Sequence, residues 1–210
     1  VNEPTEMGEG IAFLNRHLPG EMNRNPDVFR RALLKFLQSC ELDGTNILIN
    51  EHLSNPDALM AELDEARSML AEYPNKTAYS DIAHELRIHG FEPGWGSNAE
   101  DIAQNLALLA RVMDSSDPAR FESFLGRLPM IKSVLMVSPH GWFAQDGVMG
   151  KPDTGGQITY VLDQTRSLER QLIQQFRESG VEAIPRIIIL TRLIPDAEGT
   201  TCNVPRERIH

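Results

Sequence analysis

The side chains best suited to chemistry are concentrated in one segment of the chain. This segment, SPHGWFAQDGVMGKPDTGGQ, runs from Ser138 to Gln157, between a short apolar run and a long amphipathic one. Gly155 and Gly156 stand directly before the amphipathic run, where a helix is predicted to begin. Adjacent glycines allow positive φ and carry no Cβ, so a ligand can approach their backbone N–H groups closely. Together with the unpaired N–H groups and the dipole of a helix start, they favour a bound phosphate or diphosphate. A plain tight turn explains the glycine pair alone equally well.

Two polar side chains flank this predicted phosphate seat. His140 lies two residues beyond the apolar run, and Gln157 falls in the first turn of the predicted helix. Ligands of open parallel sheets bind at the carboxyl ends of the strands. We therefore expect His140 and Gln157 to contact a polar substrate. Asp153 and Thr154 are expected to form a turn that fixes the loop rather than to take part in catalysis.

Other residues of the chain give weaker indications of a site. Trp142, Phe143 and Gln145 fit a sugar-binding platform and a hydrophobic cluster of the loop equally well. The remaining histidines show no metal-ligand spacing, so no metal is expected. Cys40 and Cys202 fit neither a zinc spacing nor a disulfide framework, which makes a reducing cytosol the expected compartment.

The elements that must position this segment form a βαβ unit. The nearly continuous apolar run Ser133 to Ser138 predicts a strand buried on both faces, and Arg186 to Thr191 predicts a second one. Between them, Ile158 to Phe176 has helical periodicity, with Glu169 on its apolar face, and Gly180 is expected to end the helix. A crossover of this length between two strands makes them parallel.

Residues 1–128 are predicted to form helices only, which places a domain boundary near residue 128. Asn25-Pro26, Asn55-Pro56 and Asp117-Pro118 each predict a capped helix start with proline at the first position. Ser80 and the Ser97/Glu100 pair predict two further starts. The segment Thr45 to Asn50 has the composition of a strand, but no partner strand is predicted for it. The helices predicted after Asn25, Asn55 and Ser97 have the apolar faces Phe29, Ala32, Leu33, Phe36, Cys40; Leu59, Leu63, Ala66, Leu70, Tyr73; and Ile102, Leu106, Leu109, Met113, respectively.

Composition excludes several classes of partner. With 30 acidic and 20 basic residues the formal net charge is -10, which argues against binding of nucleic acid. No apolar run approaches the length of a membrane span, so no stable membrane insertion is expected. The start of the chain lacks a methionine and a signal-peptide pattern, and its end follows the second strand closely. These features lead us to expect an internal portion of a longer protein.

Several motifs make the chain similar to the sucrose synthase family. SPHGWFAQD followed by KPDTGGQ, with FLGRLPM upstream, resembles the opening of that family's glycosyltransferase part, and RIIILTRLIPDAEGTTC resembles its second strand and the following loop. EPGWG and GIAFLNRHL extend the resemblance over nearly the whole chain. Asp-Thr-Gly-Gly-Gln alone is less specific, because sucrose-phosphate synthases carry a similar segment. Lys151 and Trp142 replace residues common in plant members, which suggests a bacterial member.

The resemblance implies an α/β fold. A helical regulatory and oligomerisation region (1–128) would precede the start of the GT-B amino-terminal, Rossmann-like domain (129–210). It implies reversible conversion of sucrose and a nucleoside diphosphate, UDP or ADP, into nucleotide-glucose and fructose with retention. The diphosphate would bind Gly155 and Gly156, and the sugar substrate would lie beside His140 and Gln157.

The nucleotide is a substrate in this family, so no cofactor is implied. A cytoplasmic homotetramer is implied, and catalytic residues are expected beyond residue 210. Three alternatives remain. These are a sucrose-phosphate synthase, a non-catalytic assembly module and an NAD-binding domain. The isolated portion is expected to be inactive and would then resemble an assembly module. The glycine spacing disfavours the NAD-binding domain.

Overall fold

The computed structural model describes residues 24–115 and 117–209, which divide into two compact units. The first unit runs through Met130 and also takes in Phe176–Glu182. The second comprises Ile131–Gln175 and the chain from Ala183 onward. Residues 1–23, which include the GIAFLNRHL motif, lie outside the described part. No helix of the described residues is both long and apolar enough to cross a bilayer.

The first unit is mainly helical. In its described part, five α-helices, a short 3-10 helix and a small hairpin follow one another along the chain. The helices are α1 (Pro26–Gln38), α2 (Pro56–Leu70), α3 (Tyr79–Ile88), α4 (Ala99–Asp114) and α5 (Pro118–Leu125), the 3-10 helix is Pro93–Trp95, and the strands are β1 (Glu41–Leu42) and β2 (Thr45–Asn46).

The helix starts that carry proline are confirmed. Helices α1, α2 and α5 begin at Pro26, Pro56 and Pro118. The Asn55 side chain accepts a hydrogen bond from the Ala58 N–H at 2.9 Å, and that of Asp117 accepts one from Ala119 at 3.0 Å. Asn25 makes no such bond. An uncapped proline start still forms, because proline fixes φ at a helical value.

The two serine-based predictions are wrong by one or two residues. Helix α3 starts at Tyr79, so Ser80 lies inside its first turn. Helix α4 is capped by Asn98 rather than Ser97, and the Asn98 side chain accepts from the Asp101 N–H at 3.1 Å. Asparagine and serine cap helices about equally well, so the local sequence does not decide between neighbours.

The apolar face of α4 is confirmed, and that of α2 is confirmed except for Tyr73, which lies beyond the helix end at Leu70 and is only half-buried. The face of α1 is rotated. Leu33, Leu34 and Leu37 are the buried residues of α1, while Ala32 is exposed and Phe36 is half-buried. The core of this unit also holds Trp95. The Trp95 ring stacks on Phe124 at a centroid distance of 6.2 Å, and its indole N–H donates to the Leu48 carbonyl at 2.6 Å.

The expectation that Thr45 to Asn50 has no partner strand is wrong. Strand β2 pairs antiparallel with β1, which immediately precedes it. Asp43 and Gly44 join them with φ values of 49° and 81°. Two positive φ values define the hairpin turn for which Asp-Gly is preferred. The strands have two residues each, too few to show any alternation in sequence.

The second unit confirms the βαβ prediction. Strand β3 (Ser133–Ser138) pairs in parallel with β4 (Arg186–Thr191), in a register that sets Ser133 opposite Arg186 and Ser138 opposite Thr191. Helix α6 (Gln157–Glu178) forms the crossover. It ends at Gly180 as predicted: φ is 76°, and the Val181 N–H donates to the Phe176 carbonyl at 3.0 Å. Glu169 is exposed, so it does not interrupt the buried face.

One prediction for the sheet is wrong: its strands are not buried on both faces. Leu135 and Val137 are 60% and 63% exposed, and Ile188 and Leu190 are 48% and 55% exposed. The alternate residues are half-buried on the opposite face. Among these, Met136 lies against α6, where its sulfur is 3.3 Å from the Thr165 hydroxyl. The apolar composition of the strands was correctly recognised, but composition does not specify what covers each face.

Candidate ligand-binding site

The long loop between β3 and α6 folds back so that its two ends meet. Gly141 has φ of 69°, and a Cβ at this position would lie 2.2 Å from the Asp153 carbonyl oxygen. The Trp142 N–H donates to the Thr154 hydroxyl oxygen at 3.0 Å. The start of the loop, where His140 lies, is thereby brought next to the end of the loop, where the glycine pair lies.

Thr154 is the residue that joins the two ends. Besides accepting from Trp142, its hydroxyl donates to the Pro152 carbonyl at 3.1 Å. Asp153 adopts a left-handed backbone with φ of 56°, as short polar residues do in turns. The predicted turn-forming role of this pair is confirmed for Thr154, which fixes the backbone that leads into Gly155.

Gly155 and Gly156 present an open stretch of backbone. Neither has a left-handed φ, so the pair does not use the conformational freedom that glycine allows. A Cβ added at either position would meet no atom within 4 Å. Within the described residues, neither amide donates a hydrogen bond to a protein acceptor. The N–H groups therefore stand free at the start of a 22-residue helix, where the dipole adds positive potential.

His140 and Gln157 are both exposed at this edge of the unit. His140 is the second residue after β3, and Gln157 is the first residue of α6. Neither side chain hydrogen-bonds to another residue of the described part of the chain. Both remain available to a ligand, and their assignment to a sugar stays a prediction.

The loop that follows β4 holds the first loop in place, which sequence reasoning missed. The Lys151 ammonium forms an ion pair with Glu198 and lies 5.0 Å from the centroid of the Trp142 ring. The Gln145 amide donates to Glu207 at 2.8 Å and to the Arg208 carbonyl at 3.0 Å. No local motif predicts such pairs, because the partners are about fifty or more residues apart.

A small apolar cluster lies beneath the two loops. It consists of the buried residues Ala144, Val148, Ile158, Leu162 and Cys202, with Trp142 and Phe143 packed against it. For Trp142 and Phe143, the packing favours the hydrophobic-cluster interpretation over the sugar platform. In the described residues no group of three or more potential ligands is placed to bind a metal ion, and Cys40 and Cys202 do not form a disulfide.

One further polar group at this edge was missed. Ser138, the last residue of β3, is only 5% exposed, and its hydroxyl has no hydrogen-bond partner among the described residues. The sequence did contain a signal, because a serine ends a strand that is otherwise apolar at Val134 to Val137.

Comparison with known proteins identifies the class and then the family. Residues 119–210 match the family model described as the sucrose synthase first GT-B domain, which agrees with the observed parallel βαβ unit and its glycine-bearing loop. The second unit therefore belongs to the GT-B class of glycosyltransferase domains. Residues 9–97 match the model of the sucrose synthase EPBD domain. The chain belongs to the sucrose synthase family.

Individual relatives agree with this assignment. A sucrose synthase of Thermosynechococcus vestitus is 41% identical over 213 residues, covering 100% of this chain and 26% of the relative. Sucrose synthase 2 of Arabidopsis thaliana is 42% identical over 205 residues, covering 98% and 25%. The sucrose synthase of Acidithiobacillus caldus is 43% identical over 203 residues, covering 97% and 25%. The chain thus spans about a quarter of the length of these relatives.

Proposed function

We propose that this chain supplies the diphosphate-binding part of a glycosyltransferase active site. The reaction would be the reversible conversion of sucrose and UDP or ADP into nucleotide-glucose and fructose, with retention of the anomeric configuration. The observation that carries the proposal is the open Gly155-Gly156 backbone at the start of α6, with two free N–H groups and space on the ligand side.

The chemistry follows from the charge that develops during transfer. The diphosphate is the leaving group in one direction and the attacking group in the other, and both roles place negative charge on its oxygens. Fixed N–H donors and a helix dipole stabilise such charge without having to reorganise. His140 and Gln157, exposed on either side, would orient the sugar. Asp146 and Asp153 are not proposed as a glycosidase-type carboxylate pair.

Binding can be tested on the chain itself. In a ¹⁵N-labelled sample, UDP or ADP should shift the amide signals of Gly155, Gly156 and Gln157 more than signals elsewhere. Inorganic diphosphate should shift the same amides, while glucose alone should not. Failure of all three phosphorylated probes to shift the glycine amides would refute the diphosphate assignment.

The reaction can be tested in a hybrid enzyme. The 210 residues would replace the matching segment of the Acidithiobacillus caldus sucrose synthase, to which the chain is 43% identical. We expect the hybrid to form nucleotide-glucose from sucrose, and the isolated chain to be inactive. Use of fructose 6-phosphate in preference to fructose would instead support a sucrose-phosphate synthase. A folded hybrid that binds nucleotide without turnover would favour an assembly module.

We also propose a homotetrameric state and a cytoplasmic location for the protein that contains this chain. The proposal rests on membership of the sucrose synthase family, whose EPBD domain model matches residues 9–97. Sedimentation of the hybrid and of the isolated chain would test the assembly. An isolated chain that remains monomeric at high concentration would show that residues 1–128 do not carry the tetramer contacts alone.

A further inference from the structure

Ser138, the last residue of β3, carries a hydroxyl group that the described residues leave without a partner. The residue is only 5% exposed, and no protein atom of the described part is placed to hydrogen-bond with its Oγ. An unpaired buried hydroxyl is destabilising, and native proteins nearly always supply it with a protein or water partner. Ser179 is equally buried, and its hydroxyl donates to the Phe176 carbonyl at 2.9 Å. The missing partner is therefore a particular property of Ser138.

A second hydroxyl group lies directly beside that of Ser138. The register of the parallel sheet pairs Ser138 with Thr191, the last residue of β4. Neighbouring strands lie about 4.8 Å apart, and paired residues point to the same face of the sheet. Thr191 is half-buried, and its hydroxyl makes no hydrogen bond within the described part of the chain. The two strand ends thus carry adjacent hydroxyls that do not bond to each other.

Both hydroxyls lie on the covered face of the sheet. Side chains alternate between the faces of a strand, so Ser138 shares its face with Met136, and Thr191 shares its face with Ile189. The Met136 sulfur is 3.3 Å from the Thr165 hydroxyl of α6, and Ile189 packs against the apolar cluster beneath the loops. The pair is therefore enclosed on the side of Ser138 and reaches solvent on the side of the half-buried Thr191.

One water molecule fits between the two hydroxyls. Two hydrogen bonds from a shared oxygen span up to about 5.5 Å, which exceeds the spacing of the strands. Buried waters bond to about two to four polar groups that otherwise lack partners, and Ser138 and Thr191 supply two such groups. The pairing of the strands thus sets the two hydroxyls at a distance that a single bridging oxygen can cover.

We propose that Ser138 and Thr191 bind one ordered water, which joins the carboxyl ends of β3 and β4. The loops after β3 and after β4 both leave the sheet directly after these residues, so the water connects the starts of the two loops. The inference concerns the free chain and does not depend on the diphosphate assignment.

Stability measurements test whether the two hydroxyls share a partner. Ser138→Ala and Thr191→Val each remove one hydroxyl with little change in volume. Either variant should raise the equilibrium constant for unfolding of the 210-residue chain about fivefold, the effect of one net hydrogen bond. The double variant should fall well short of the roughly twenty-fivefold rise expected for independent sites, because its second substitution removes a bond that is already lost.

Thr200→Val is the matched control for this cycle. The Thr200 hydroxyl donates to the Ala197 carbonyl of its own loop at 2.7 Å, so it shares no partner with Ser138. Its effect should multiply with that of Ser138→Ala. Multiplicative effects of Ser138→Ala and Thr191→Val would overturn the proposal. A Ser138→Ala variant at least as stable as wild type would also overturn it, because removal of a truly unpaired hydroxyl is neutral or stabilising.

A crystal structure of the chain supplies a test that needs no variant. We expect an oxygen atom within about 3.2 Å of both Ser138 Oγ and Thr191 Oγ1. A direct hydrogen bond between the two hydroxyls, or a protein partner for Ser138 alone, would overturn the proposal. In crystals of Ser138→Ala the oxygen should be lost, and its retention at full occupancy would show that Ser138 does not hold it.

Discussion

Gly141 and Gly150 lie in the same loop and have similar backbones, but their surroundings differ. Their φ values are 69° and 86°. A Cβ on Gly141 would collide with the Asp153 carbonyl, whereas a Cβ on Gly150 would meet nothing within 4 Å. Gly141 is therefore needed for close approach as well as for conformation, and Gly150 for conformation alone.

This contrast predicts different outcomes for the two alanine variants. Gly150→Ala should cost about 1–2 kcal/mol, the penalty of a left-handed alanine. Gly141→Ala should cost more and should also separate His140 from the glycine pair, which weakens nucleotide binding. Urea unfolding and a UDP titration of both variants would measure these effects. Equal losses of stability and equal affinities in the two variants would contradict the account of the folded-back loop.

Gly155→Val tests the open backbone directly. Because the space around this position is empty, the fold should tolerate the larger side chain. The valine would instead occupy the path of the diphosphate, and we expect at least a tenfold loss of nucleotide affinity with an almost unchanged melting temperature. Wild-type affinity in a folded variant would show that the diphosphate does not approach Gly155.

At this scale the sequence indicated which loop should carry a site, but not how that loop is built. The glycine pair was singled out because it lies between a strand and a helix, and its role as a diphosphate site stays a prediction. Its φ values were not found, because freedom from Cβ permits several conformations. Lys151 was missed because its partner, Glu198, lies far away in the chain. Ser138 was missed because only the structure shows that its hydroxyl is buried without a partner among the described residues.

Helix caps provide a test at the scale of elements, because α1 and α2 share the Asn-Pro start but not its hydrogen bond. Asn55 accepts from the Ala58 N–H, and Asn25 makes no side-chain cap. Asn55→Ala should destabilise the chain by about 1 kcal/mol, and Asn25→Ala by much less. Chemical denaturation of both variants measures the difference. Similar losses would mean that the proline, rather than the side-chain bond, determines these starts.

The Lys151–Glu198 ion pair connects the loops that follow the two strands. Reversal of either charge alone should loosen the loop that carries Thr154 and the glycines, and should weaken nucleotide binding severalfold. The double reversal Lys151→Glu with Glu198→Lys should restore part of the affinity, but not the cation–π contact with Trp142. Binding measured at low and high salt would separate this electrostatic effect, which is screened, from altered packing. Additive losses without any recovery would argue against the pair.

Helices and strands were predicted correctly where the residues that determine them are adjacent in the sequence. Strands β3 and β4 were placed with their observed bounds because each is a compact apolar run. The Asn-Pro and Asp-Pro starts combine two signals in adjacent residues. The β1–β2 hairpin was missed because its signal is only Asp43-Gly44. The exposed face at Leu135 and Val137 was unpredictable, because burial depends on which other parts of the protein cover the sheet.

For the whole molecule, one carboxylate should make stability depend on pH. Glu62 of α2 accepts from His89 at the end of α3 at 2.8 Å, and lies 3.5 Å from His52. The hydrogen bond from His89 lowers the pKa of Glu62 below its ordinary 4.5, and the desolvation that opposes this is the smaller effect. A lowered pKa stabilises the folded chain above pH 4.5, and this stabilisation is lost as pH falls through the lowered pKa.

Glu62→Gln should therefore lower the free energy of unfolding near neutral pH by about 1 kcal/mol. The difference from wild type should vanish in acid, below the lowered pKa of Glu62. Glu65→Gln, on the exposed side of the same helix, is the matched control and should change little at any pH. Denaturation curves collected from pH 3 to 7, roughly the window in which carboxylates titrate, would test this. A constant difference across that range would indicate a packing effect.

The parallel pairing of β3 and β4 has a consequence for hydrogen exchange. The Arg186 N–H donates to the Lys132 carbonyl at 2.9 Å, so the N–H groups of Ile188 and Leu190 also point toward β3. Those of Ile187 and Ile189 point to the outer edge of β4, which pairs with no other strand of the described residues. In deuterated water, Ile188 and Leu190 should keep their protons longest although their side chains are the more exposed. Backbone protection and side-chain burial therefore run in opposite order along this strand.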